Sequence, residues 1–194
     1  DAAQMNPWLA IIIMLLAGIS ARLLSGWLDV QDAARLASAV FVLATLLFTA
    51  RAARAFLGLG FGAAATLALV GAFGLMLRAH ALLPETALLM GYALLLLGVG
   101  RAREGGATAA PAMGLGILAI VLSRGVPDLV AGLAIILLPL AFPAWREAPY
   151  RRSLLAGLAW LAGGLALWGG LLAVQGDLAM AWQVASAPLA PERG

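Results

Sequence analysis

The charges of this chain come in short clusters, and between the clusters run uninterrupted apolar stretches of helix length. Only 11% of its 194 residues are charged and 64% are apolar. A water-soluble domain carries roughly 25% charged residues to dress its surface. A chain with less than half of that has to find another solvent, and the bilayer suits long apolar segments. In hydrocarbon every backbone N–H and C=O must be paired within the protein, so a spanning chain forms helices or a closed barrel. No stretch alternates with period two as a barrel strand does. The sequence therefore predicts an all-α fold, a polytopic transmembrane helix bundle.

About 20 apolar residues cross roughly 30 Å of hydrocarbon. Seven runs are read as spans: 7–24, 34–50, 56–77, 83–100, 108–123, 126–145 and 153–175. The fifth is short, and only Arg124 and Gly125 part it from the sixth. Six spans, or five plus a re-entrant hairpin, are the alternatives. Residues 1–175 are expected to form a single helical domain. The segment 176–187 is too polar to span and is read as interfacial, with Trp182 at the membrane surface; residues 188–194 are read as a disordered tail. The first run lacks a preceding basic stretch and a small-residue cleavage site, so it reads as a span rather than a signal peptide.

Helix punctuation agrees with these runs. Asp32, Pro84-Glu85 and Pro127-Asp128 stand where helices would begin. Proline suits a first helical turn, and a carboxylate there complements the positive end of the helix dipole. Pro139 and Pro143 are expected to bend the sixth span near its end. Trp8, Trp27, Trp145 and Trp182 fall near predicted interfaces, where tryptophan concentrates.

With seven spans, the N-terminus shares a side with the loops at 51–54, 101–104 and 146–152. That side carries seven arginines and three acids, the other side five arginines and six acids. Arginine-rich loops stay in the cytoplasm. The expected setting is a bacterial-type inner membrane, with the N-terminus cytoplasmic and the C-terminus outside.

Several chemistries are excluded by residue type. There is no cysteine, hence no disulfide, thiolate metal site or thiol redox couple. All twelve basic residues are arginine, so there is no lysine for a retinal Schiff base or a P-loop. His80 is the sole histidine, so two-histidine haem ligation within the chain is impossible. Nucleic acid is not an expected partner, because the net charge is only +3 and the arginines mark helix ends. No ionisable residue falls in the middle of a predicted span, where proton relays and intramembrane catalysts place theirs. The paired aspartates of prenyl and alcohol-phosphate transferases are missing, as is a rhomboid-type serine–histidine setting.

The remaining polar candidates for catalysis are His80, Glu85 and Asp128, all expected on the outer face. His80 beside Glu85 would titrate near neutrality. The plainer reading is favoured: Arg78 ends one helix, Glu85 begins the next and His80 lies in the turn. Arg124 and Asp128 stand four apart and either pair or serve as helix-end charges. No metal site and no cofactor are expected.

Glycine is the other signal. Gly58 and Gly62 form a GxxxG, and Gly157, Gly163, Gly164 and Gly170 mark the last span. Small residues let helices approach closely in lipid, so these positions are read as helix-packing sites. That reading puts the third and seventh spans at the buried centre. The same glycines would also make room for a bound lipid or flat apolar ligand, and Trp160 and Trp168 lie near one face beside them. The function expected is that of a non-catalytic integral membrane subunit, scaffold or assembly factor. It would act by helix packing in a larger complex, with membrane lipids and other membrane proteins, or copies of itself, as partners. A small permease or flippase for a neutral or lipid-like solute is the alternative, and a lipid-modifying membrane enzyme the second.

Overall fold

The computed structural model describes residues 30–72 and 84–175. Regular structure among them is entirely helical: α1 (Val30–Leu57), α2 (Phe61–Gly71), α3 (Pro84–Ala102), α4 (Ala109–Arg124), α5 (Val126–Leu137) and α6 (Ala148–Gln175). Two short 3-10 turns, Leu138–Ala141 and Pro143–Trp145, join α5 to α6. The expected first span at 7–24, the interfacial segment at 176–187, and the tail at 188–194 lie outside the described residues.

By length and composition, Ala39–Leu57 and Ala148–Leu171 suffice to cross a bilayer. Phe61–Gly71, Thr86–Ala102, Ala109–Arg124 and Pro127–Ala141 are shorter apolar helices, so length alone assigns only the first two as crossings.

Arg51 to Arg54 were expected in a loop, but they belong to the last turns of α1, which runs on to Leu57. Arginine and alanine are both strong helix formers, so the segment Arg51-Ala52-Ala53-Arg54-Ala55 has no reason to unwind. The helix stops at Gly58, whose φ of +103° is open to glycine and whose N–H closes on the Arg54 carbonyl at 3.0 Å. Gly58 is therefore a turn residue, and Phe56 and Leu57, expected in the next span, end this one.

The remaining connections follow the punctuation. After α3 the Gly106 N–H reaches the Arg101 carbonyl and the Gly105 N–H reaches Ala102, the Schellman arrangement, with Gly105 at φ +71°. The Arg101 guanidinium then donates to the Thr108 hydroxyl at 2.6 Å and ties the loop shut. Gly125 makes the α4–α5 turn at φ +82°, and Pro127 sits in the first turn of α5. Pro139 lacks the N–H that would continue α5, and the chain tightens into the 3-10 turns instead of merely bending.

α3 lies between α1 and α4; α4 lies between α3 and α6, and also carries α5, while α2 rests on α1. The core is on α3, α4, α5 and α6: Leu95, Met113, Ile117, Ile120, Ile136 and Tyr150 are fully buried. The described part of the third span, 56–72, thus adds no residue to this core, whereas the seventh span supplies Leu154 and Leu161. In α2 only Gly62 is buried, and Leu59 just before it is 87% exposed. α4, the shortest predicted span, is instead packed on two sides, because its glycines admit α3 and α6 closely.

Candidate functional site

Glycine contacts set the register of the helices. A methyl added at Gly98 would meet Met113 and Ala109, and one at Gly91 would meet Gly116 and Ile120. Hence α3 and α4 run antiparallel, with residue 91 near 118 and residue 98 near 111. Gly100 faces Ala55 and Phe56, which sets α1 parallel to α3. Gly114 faces Gly157 and Trp160, and Gly164 faces Leu118, which sets α6 parallel to α4. In this register Glu85, Arg124 and Asp128 share one level, while Arg54, Arg101, Arg103 and Arg152 share another. Glu85 to Arg101 spans about 24 Å along α3 at roughly 1.5 Å per residue. The charges of these helices therefore form two rims around an apolar middle.

Of the glycines singled out by sequence, Gly62 lies under Arg54 and Ala50, Gly157 against Met113, and Gly164 against Leu118. Gly58, Gly163 and Gly170 have no neighbouring atom within 4 Å of a would-be Cβ. The tightest backbone approaches are at Gly98, Gly114 and Gly116, which sequence reasoning passed over. Their signal was there: Gly91 and Gly98 on one helix, Gly114 and Gly116 on the next, all in runs that lack charge.

At the mixed-charge rim the Tyr92 hydroxyl donates to the Asp128 Oδ1 at 3.0 Å. Helical side chains lean toward the helix N-terminus, so the phenol of Tyr92 reaches back to the level where α5 begins. Asp128 sits in the first turn of α5 and Arg124 in the last turn of α4, each complementing the helix dipole there. His80 lies outside the described residues. Glu85 stands in the first turn of α3, but its side chain is not among those described. Asp128 is thus the one candidate whose side-chain contact is described, and the hydroxyl it accepts from lies 36 positions away, a pairing no local pattern signals. Among the described residues, no group of three or more His, Cys, Asp or Glu side chains gathers to hold a metal. The hydroxyls of Thr45, Thr66 and Ser123 donate to carbonyls four residues back in their own helices. Removing the Tyr92 hydroxyl (Tyr92→Phe) is expected to cost about 1 kcal/mol. Asp128→Asn, which keeps an acceptor, should cost less. Thermal unfolding in detergent reads both, and equal melting of Tyr92→Phe and wild type would show the bond to be idle.

The arginine rim is built on aromatic rings. Trp145 lies 6.1 Å from Phe56 and meets Tyr150 edge-on at 5.5 Å, while the Arg103 guanidinium lies over the Trp145 ring at 5.7 Å. One indole thereby links the end of α1, the α3–α4 loop and the start of α6. Arg146 folds back along the surface, donating to the Leu140 and Ala141 carbonyls at 2.8 and 3.3 Å, where the 3-10 turn leaves acceptors open. Arg51, Arg54, Arg151 and Arg152 are exposed, and their guanidinium groups make no hydrogen bond or ion pair among the described residues.

On the flank, α4 and α6 part to leave an open apolar groove of about 780 Å³. Leu115 and Leu118 form one wall and Trp160, Leu167 and Trp168 the other, over Gly163 and Gly164. The eight-residue spacing of the two tryptophans places both rings on this face. Comparison with known protein families, curated proteins and solved structures finds no match for this chain.

Proposed function

We propose that this chain is a multi-pass membrane protein that works as a non-catalytic subunit, scaffold or assembly factor, packing its helices against other membrane proteins. The observation that carries the reading is the separation of charge into two rims about 24 Å apart, with backbone-close helix packing between them. Hydrocarbon is roughly 30 Å thick, and arginine at a helix end reaches outward to the headgroups. The short helices α3 and α4 fit such a layer because they lie level with the apolar length of α1 and α6. Large apolar side chains point outward, among them Leu43, Leu47, Leu155 and Leu167, and these faces are where lipid or a partner helix would lie. Seven spans, an inner-membrane setting and a cytoplasmic arginine rim belong to the same proposal, on the strength of arginine's bias to the cytoplasmic side.

One observation favours a second reading. The α4–α6 groove is large enough for part of a lipid-like molecule, which suits a small permease or flippase for a neutral solute. Gentle extraction in mild detergent, followed by mass spectrometry of what co-purifies, separates the two. The subunit reading expects a stoichiometric membrane-protein partner. A lone, monodisperse protein carrying one defined small molecule would overturn it in favour of transport.

A further inference from the structure

We infer that the arginine rim is a binding surface for the phosphate headgroups of anionic phospholipids. The inference rests on the membrane reading above and adds a ligand to one end of the bundle. Seven arginines belong to this end, against Glu104 and Glu147. Three of the seven have partners within the chain: Arg101 the Thr108 hydroxyl, Arg103 the Trp145 ring and Arg146 backbone carbonyls. The other four, Arg51 and Arg54 on α1 with Arg151 and Arg152 on α6, are exposed and have no carboxylate partner among the described residues.

Four unpaired cations held near one level repel each other, and an anion relieves that repulsion. Guanidinium offers a planar fork of donors that matches phosphate oxygens two at a time. The Phe56–Trp145–Tyr150 cluster fixes the backbone from which these side chains rise, so little order is lost on binding. The described side chains of the opposite rim differ: there Arg124 stands beside the Asp128 carboxylate, a balanced pair that offers an anion little. The location selects the source of phosphate: a rim at the edge of an apolar layer faces the headgroups of that layer.

The test uses the full chain in nanodiscs, first of phosphatidylcholine alone, then of equal parts phosphatidylcholine and phosphatidylglycerol. Native mass spectrometry reads the lipids retained on the released protein. Entry into the phosphatidylcholine discs tests the membrane reading by itself, and failure there would sink that reading. Given entry, phosphatidylglycerol is expected to be retained several-fold over its bulk share. Each basic residue near an anionic surface contributes about fivefold in affinity, so the enrichment should vanish in the variant with Arg51→Gln, Arg54→Gln, Arg151→Gln and Arg152→Gln. Glutamine keeps the helices intact. The matching Arg→Lys variant should retain part of the enrichment, since it keeps the charge and loses the fork. Bulk-ratio lipid on the wild type would overturn the inference. So would binding of glycerol phosphate with no lipid enrichment, which points to a soluble phosphate. Loss of a co-purifying protein from the glutamine variant, with its lipid ratio unchanged, would assign the rim to an acidic protein segment and equally overturn it.

Discussion

Gly116→Ala is expected to destabilise the bundle by about 1–3 kcal/mol, the usual cost of overfilling a packed core. The added methyl would lie 2.8 Å from the Leu95 nitrogen, 2.9 Å from its Cα and 3.0 Å from the Gly91 carbonyl oxygen. All three are backbone atoms, so no side chain can swing aside and α3 must move away from α4. Gly114→Ala does the same on the other side, where the Gly157 carbonyl and the Trp160 Cβ would each be 2.5 Å away. The two substitutions thus separate different helix pairs and should each lower the melting temperature in detergent. Gly163→Ala and Gly169→Ala are the controls. Nothing lies within 4 Å of either, and alanine is the better helix former by about 0.5–1 kcal/mol, so both should melt at or above wild type. If all four variants melted alike, close glycine packing would not be what holds α4 between its neighbours.

The helices and their apolar character were legible because they depend on local signals. Pro84, Pro127 and Gly125 set their ends where the sequence placed them, since a ring without an N–H and a residue free to take positive φ act through the chain itself. The α1 boundary was missed for an equally physical reason. Charge marks where the apolar run ends, whereas Gly58 marks where the helix stops, and α1 continues past the first to reach the second. Burial was less legible. A count of glycines points to the ends of the chain's richest runs, yet Gly163, Gly169 and Gly170 sit on an open face. Only the pairing of helices shows that Gly114 and Gly116 lie on opposite sides of one helix and meet two partners. Tyr92 with Asp128 was hidden for the same reason. Each has a sufficient local explanation, and the contact exists only once α3 and α5 are placed side by side.

Tyr150→Ala is the other substitution expected to have a large effect, about 3–5 kcal/mol. Tyr150 is the largest fully buried side chain among the described residues, 1% exposed. Its hydroxyl donates to the Ile136 carbonyl at 2.7 Å. That carbonyl belongs to the last turn of α5, where acceptors lack an intrahelical donor, and Pro139, three residues on, has no N–H to offer it in a 3-10 bond. The phenol therefore ties the end of α5 to the start of α6 across both 3-10 turns. Truncation leaves a cavity, an underserved buried carbonyl and a Trp145 ring that has lost its edge-on neighbour. Tyr150→Phe isolates the hydroxyl, with an expected cost of about 1–3 kcal/mol. The two variants should also part in their effect on the arginine rim. Phenylalanine keeps the ring against Trp145, so Arg151 and Arg152 stay where α6 begins and anionic lipid should be retained as in wild type. Alanine lets the start of α6 drift from α5, so lipid retention should fall together with the melting temperature. The Trp145 contribution to emission, taken as the difference from a Trp145→Phe background, would shift to the red in Tyr150→Ala and hold its position in Tyr150→Phe. Matching melting curves for Tyr150→Ala and wild type would mean that the α5–α6 junction is held by something other than this side chain.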